Sequence, residues 1–144
     1  MNYIQSTFAK KLKENKPLLL KKSKSIKQEI INHSKHDLLD GFISITQDDD
    51  DSLAISFADL KLEITSQDKF AFSDDKQVGL QTCFYHEDEY IFSMKIMHTG
   101  HVKFVNEFSD VFPVLEHDDT QIPLILIHGI LSTAHQKGII LLID

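Results

Sequence analysis

Apolar positions along this chain change period at Gly41, and the change divides it into a helical head and a sheet-rich body. Ile4, Phe8 and Leu12 recur at helix spacing with lysines between them, and Pro17 predicts the end of that first segment. Ser25 and Gln28 have the spacing of a capping box. From there Ile26, Ile30, Ile31, Ser34, Leu38 and Leu39 form a second, moderately apolar helical face. Asp40-Gly41 predicts its stop, because glycine takes the left-handed conformation there without steric cost.

Beyond Gly41 the period becomes two. Residues 42–46 predict a strand, then Leu53, Ile55 and Phe57 alternate with smaller residues, as do Leu60, Leu62 and Ile64 with polar ones. The phase slips at Ala58-Asp59, which predicts a bulge or tight turn. Residues 66–69 and 73–77 read as polar connections around a short strand at 70–72. Residues 78–85, 90–97 and 101–108 predict a three-stranded antiparallel meander, turned at 86–89 and 98–100.

The end of the chain reads two ways. Residues 122–136 form either a buried helix, with Thr120 as N-cap and Pro123 in its first turn, or a strand to His128 that turns at Gly129 into a short helix. Ile139 to Ile143 predicts a closing buried strand in both cases. The fold class expected is α+β, with N-terminal helices packed on a mainly antiparallel sheet. No internal repeat or long linker divides residues 1–144, so one domain is expected, a basic helical segment at 1–40 and an acidic sheet-rich body at 41–144.

Composition agrees with a packed domain: 144 residues are 42% hydrophobic and include ten Phe. A lone cysteine, Cys83, forms no internal disulfide and reads as a small core residue. The longest apolar run, 122–127, is too short to span a bilayer, and Leu18-Leu19-Leu20 is too short for a signal-peptide core. A cytoplasmic protein with no membrane contact is the expectation.

Charge changes the picture most. Residues 1–36 carry nine lysines against Glu14 and Glu29, a net of +7, whereas residues 37–144 carry twenty carboxylates against six lysines, a net of −14. All fifteen basic residues are lysine, so the guanidinium fork used for bidentate phosphate or guanine recognition is absent. A −14 body speaks for a cationic partner and disfavours nucleic acid, although Lys10, Lys11, Lys13, Lys16, Lys21, Lys22, Lys24 and Lys27 are able to neutralise phosphates. The split also allows copies of the chain to associate head to body.

Catalytic signatures are sparse. His33 and His36, with Asp37 and Asp40, are spaced three apart rather than the four of a zinc helix, and no metal or cofactor is expected. His98 and His101 fall at a turn, where with Tyr90 they are the polar groups available to a small-molecule or enzymatic pocket of an α+β barrel. The five glycines form neither a P-loop nor a dinucleotide fingerprint. The segment from Ile122 to His135, IPLILIHGILSTAH, resembles the strand and His-Gly turn that help build the oxyanion hole of α/β-hydrolases. No G-x-S-x-G elbow occurs, and only nine residues follow His135, so hydrolase activity is not expected.

The reading that remains is a non-catalytic protein-binding module, most simply an immunity or inhibitor protein that neutralises a basic toxin such as a nuclease through an acidic face. Its candidate contacts are Asp48, Asp49, Asp50, Asp51, Asp74, Asp75, Glu87, Asp88, Glu89, Asp118 and Asp119, all in expected loops or hairpin tips.

Overall fold

The two helical stretches fold as one element. In a computed structural model, which describes residues 3–36, 41–73 and 77–141, α1 runs unbroken over Tyr3–Ser34, with Pro17 inside it. Proline removes one backbone hydrogen bond and crowds the preceding turn. The helix continues because Leu12, Leu19, Ile26 and Ile30 lie on one face, and the sheet holds that face on both sides of the proline. Ser25 and Gln28 therefore sit mid-helix, where Gln28 Nε2 donates to Asn32 Oδ1 instead of capping. Leu38 and Leu39, the end of the expected helical face, and Asp40 of its expected stop lie outside the described residues, as does Asp37.

Among the described residues, the body is an up-and-down meander of seven antiparallel strands in chain order. They are β1 (Ile43–Gln47), β2 (Leu53–Phe57), β3 (Leu62–Phe72), β4 (Val78–His86), β5 (Glu89–Met97), β6 (His101–Val105) and β7 (Leu115–Glu116). A short 3-10 turn at Ala58–Leu60 accounts for the phase slip between β2 and β3. A bulge beside Phe84 and Tyr85 leaves Ile91 unopposed, so Ile91 and Phe92 are both buried. Two strands read separately, at 60–64 and 70–72, are one strand, β3, because the polar residues between them belong to the ladder.

One face of the curled sheet carries the core: Ile45, Ile55, Ile64, Leu80, Met94 and Phe104 lie there, under α1 and a second helix, α2 (Ile122–Gln136). The helical reading of 122–136 is the one that forms. Ile122, Leu126, Ile130 and Ala134, four apart, face the sheet. The N-cap is Gln121 rather than Thr120, and Asp119 Oδ1 accepts the Gln121 N–H at 2.8 Å. His128-Gly129 thus sits mid-helix, and the strand and turn that resemble an α/β-hydrolase are not made. The closing strand is not formed at Ile139, Ile140 or Leu141 either. After Gly138, at φ 75°, the chain folds back so that the Ile139 N–H bonds Ala134 O and Ile140 is buried. Residues 142–144 lie outside the described residues. No helix among the described residues is long and apolar enough to cross a membrane.

Two contacts fix the helices on the sheet. Lys27, fully buried on α1, donates from Nζ to Asp68 Oδ2 on β3 at 2.5 Å and to the Asp51 carbonyl at 2.6 Å. Asp68 in turn accepts from Thr82 Oγ1 on β4 at 2.7 Å. On α2, Gly129 lies against the ring of Phe92, and a methyl added there would stand 2.6 Å from Phe92 Cε1. Phe92 is itself held between Phe104 and Phe112, with ring centroids 6.1 and 5.1 Å away. Gly129→Ala gains helix propensity of about 1 kcal/mol, yet the expected outcome is a net loss of about 1–3 kcal/mol from overpacking. Urea unfolding of the variant checks this, and a stability gain would contradict the packing described.

Candidate functional site

In a meander, alternate hairpins fall at the same end of the sheet, and this rule sorts the candidate acidic residues. The β1–β2 hairpin, with Asp48 to Asp51, shares one end with the β5–β6 turn at His98 to Gly100. Because Glu116 on β7 pairs with His101, the segment from His117 to Gln121 returns to that same end, where the His117 N–H bonds Gly100 O at 2.7 Å. Glu87, Asp88 and Glu89 occupy the β4–β5 hairpin at the opposite end. The acidic residues therefore do not share one face. Asp74 and Asp75 lie outside the described residues.

Local chemistry holds the four-aspartate hairpin. The Asp48 N–H bonds Ser52 O, the Asp51 N–H bonds Asp48 O, and Asp51 adopts a left-handed φ of 65°. Aspartate tolerates that conformation better than most side chains. Asp50 accepts the Ser52 N–H, and this bond to the charged form holds its carboxyl below the usual carboxylate range. Asp51 Oδ1 accepts from Gln47, while its carbonyl receives Lys27. The charged side chains of Asp48, Asp49 and Asp50 project into solvent from a backbone tied to the core.

Helix α1 passes between this hairpin and the segment before α2. On its other flank, Ser25, Ile26, Glu29, Asn32 and His33 face His117, Asp118, Asp119 and Thr120 across a cleft of about 480 Å³. Lys22 and His117 both come up against Gly100 at the margin of this region, within 3.4 Å of where a Cβ would stand on that glycine. Glu29 was not among the candidate contacts. Its only sequence signal is its place as one of two acids in the lysine-rich head, and helix spacing alone does not say which residue it faces. Among the described residues, no lysine forms an ion pair with Glu29, Asp48, Asp49, Asp50, Asp118 or Asp119.

The rest of the candidates are distributed as follows. Lys27 is withdrawn from the phosphate-binding set, because it is buried and paired with Asp68, while Lys10, Lys13, Lys16, Lys21 and Lys24 are exposed along α1. His98 and His101 line one shallow hollow of about 230 Å³, but Tyr90 is at the far end of β5 and bonds Ser93 Oγ at 2.6 Å, so the three do not converge. His101 instead meets Glu116 at 3.3 Å and Thr99 at 3.0 Å. Cys83 is buried, with Ser93 Oγ 3.5 Å from its sulfur. Among the described residues no group of three or more His, Cys, Asp and Glu is arranged to hold a metal ion. Compared with protein-family models, curated proteins and solved structures, the chain matches none.

Glu89 differs from its neighbours Glu87 and Asp88, since Lys137 from beyond α2 reaches both it and Glu107. The hydrogen bond that Lys137 donates to Glu107 raises the ammonium above its ordinary 10.5, with burial opposing and Glu89 adding to the rise. A raised folded-state value means the stabilisation is complete below the unfolded value and is lost as pH climbs past 10.5 through the folded one. Lys137→Met is expected to lower stability by less than about 1 kcal/mol at neutral pH. The difference from wild type should close as denaturation is repeated in increasingly alkaline buffer; a gap that stays constant with pH would refute the assignment.

Proposed function

We propose that the protein is a non-catalytic binding module for a cationic protein, acting as an inhibitor or immunity protein for a basic toxin such as a nuclease. One observation carries the reading: Asp48, Asp49 and Asp50 on one flank of α1, and Glu29, Asp118 and Asp119 on the other, gather at one end of the molecule without lysine partners among the described residues. A nuclease needs a cationic cleft for phosphates, and carboxylates held on fixed loops occlude such a cleft and steer its approach. The exposed Lys24 on the ridge of α1 stands between the two acidic flanks. Like charge at that position favours a partner with two basic patches separated by a neutral or acidic strip.

The partner is recovered from the native host with the full chain as bait and identified by its basic composition, and association is then followed with the purified pair. Reversing Asp48, Asp49 and Asp50 to lysine is expected to slow association by about tenfold or more and to flatten its salt dependence. Glu29→Lys with Asp118→Lys should do the same. Glu87→Lys with Asp88→Lys, at the opposite end, should leave the rate within about twofold. Unchanged association in both sets of variants around α1 would end the proposal, as would loss of association only at Glu87 and Asp88.

A further inference from the structure

Register on the outer face of the sheet assembles a row that spacing along the chain conceals. Lys69 on β3 pairs with Gln81 on β4, Gln81 with Lys95 on β5, and Lys95 with Lys103 on β6. The −14 body has only six lysines, and three of them stand in this one cross-strand row. Lys95 and Lys103 are directly opposed, with Cβ atoms about 5 Å apart, an arrangement in which like charges destabilise a sheet. Among the described residues no carboxylate forms an ion pair with any of the three.

A concavity adjoins the row. The next positions on the same face are Ala71, Gly79 and Met97, and the small residues leave a groove of about 140 Å³ bordered by Gln81, Lys95 and Lys103. A Cβ on Gly79 would stand 3.0 Å from Ile96 O and 3.3 Å from Met97 Sδ, so the glycine keeps this floor open. Gln81 Nε2 donates to Ser93 Oγ at 3.0 Å, which ties the amide toward Ser93, two residues along β5 from Lys95 on the side away from Met97. The hollow lined by His98 and His101 shares Met97 and Lys103 with the groove and extends it toward the β5–β6 turn.

We infer that this row binds a phosphate-bearing anion, with Lys95 and Lys103 closing on one phosphoryl group and Lys69 meeting a second. Lys69 is two strand spacings from Lys95, about 10 Å, a separation that flexible lysine stems span toward a diphosphate or a phosphodiester chain. Lysine serves as a point-charge phosphate ligand, so the absence of arginine is no obstacle. The anion relieves the Lys95–Lys103 repulsion, which makes ligand binding and sheet stability one linked quantity. The site lies on the sheet face away from α1 and is independent of the cationic-partner reading.

Thermal unfolding of the full chain is measured against sodium pyrophosphate, sodium sulfate at matched ionic strength, and a short single-stranded oligonucleotide. Pyrophosphate is expected to raise Tm saturably and beyond the effect of sulfate. In Lys95→Gln/Lys103→Gln the apparent affinity should fall by about tenfold or more, while Tm without ligand equals or exceeds that of wild type because the opposed charges are gone. Lys69→Gln should weaken pyrophosphate more than orthophosphate. An oligonucleotide response with the same lysine dependence identifies a phosphodiester source, and a response to pyrophosphate alone identifies a free phosphoryl ligand. The inference is overturned if neither ligand shifts Tm saturably, if sulfate matches pyrophosphate, or if the shift survives the double substitution.

Discussion

A lysine with no exposed surface must be met inside the protein by charge and by hydrogen-bond acceptors, and Lys27 is met by three different strands' worth of structure. Its ammonium takes Asp68 on β3 and the carbonyl of Asp51 just before β2, and Asp68 is steadied by Thr82 on β4. Apolar packing brings α1 to the sheet, but apolar faces tolerate sliding and rotation far better than a buried ion pair does. The pair therefore sets the axial position and rotation of a helix about 48 Å long on the concave face. Ser66 adds to the same polar seam, since its Oγ accepts the Leu53 N–H where β2 begins.

The surface proposed for the cationic partner follows from that placement. With Lys27 directed at the β1–β2 hairpin, Glu29 and His33 turn to the other flank of α1 and form the cleft with the segment from His117 to Thr120. The four-aspartate hairpin is anchored through its backbone, which leaves carboxylates projecting from a fixed support rather than from a mobile loop. Fixed carboxylates lose less entropy on meeting a partner, and their mutual repulsion is relieved only when cations arrive. The same geometry separates surfaces by sign: the acidic flanks of α1 lie at one sheet end, and the lysine row lies across the outer face of β3 to β6.

The parts of the fold legible in the sequence are those whose period is uninterrupted. β6 alternates cleanly, the charged tip at Glu87 and Asp88 and the turn at Gly100 mark off β4 and β5, and the α+β class follows from the change of period at Gly41. Reading failed where polar residues occupy core positions. Ser66 and Asp68 face inward and are satisfied by Leu53 and Lys27, so a strand with two buried-side polar residues resembled a connection. Pro17 suggested a break because local propensity carries no information about the packing of Leu12 and Leu19 on either side. β7, only Leu115–Glu116, is too short to have a period. At the site, the hairpin aspartates and Asp118-Asp119 were readable as loops, but their gathering around Glu29, and the exclusion of Glu87 to Glu89 from that end, depend on strand order and register. The lysine row likewise exists only in the register of four strands.

The claim on which these placements rest is that Lys27 and Asp68 act as a coupled buried pair, and a double-mutant cycle in urea tests it most directly. Asp68→Asn leaves a buried ammonium without its counter-charge and should cost about 3–5 kcal/mol. Lys27→Met leaves a carboxylate that Thr82 and solvent still reach, as Asp68 is 24% exposed, and should cost less. The double variant is predicted to be more stable than the sum of the single losses by at least about 1 kcal/mol. Additive losses, or two single variants both near wild-type stability, would show that the helix is held by apolar packing alone and would contradict the account.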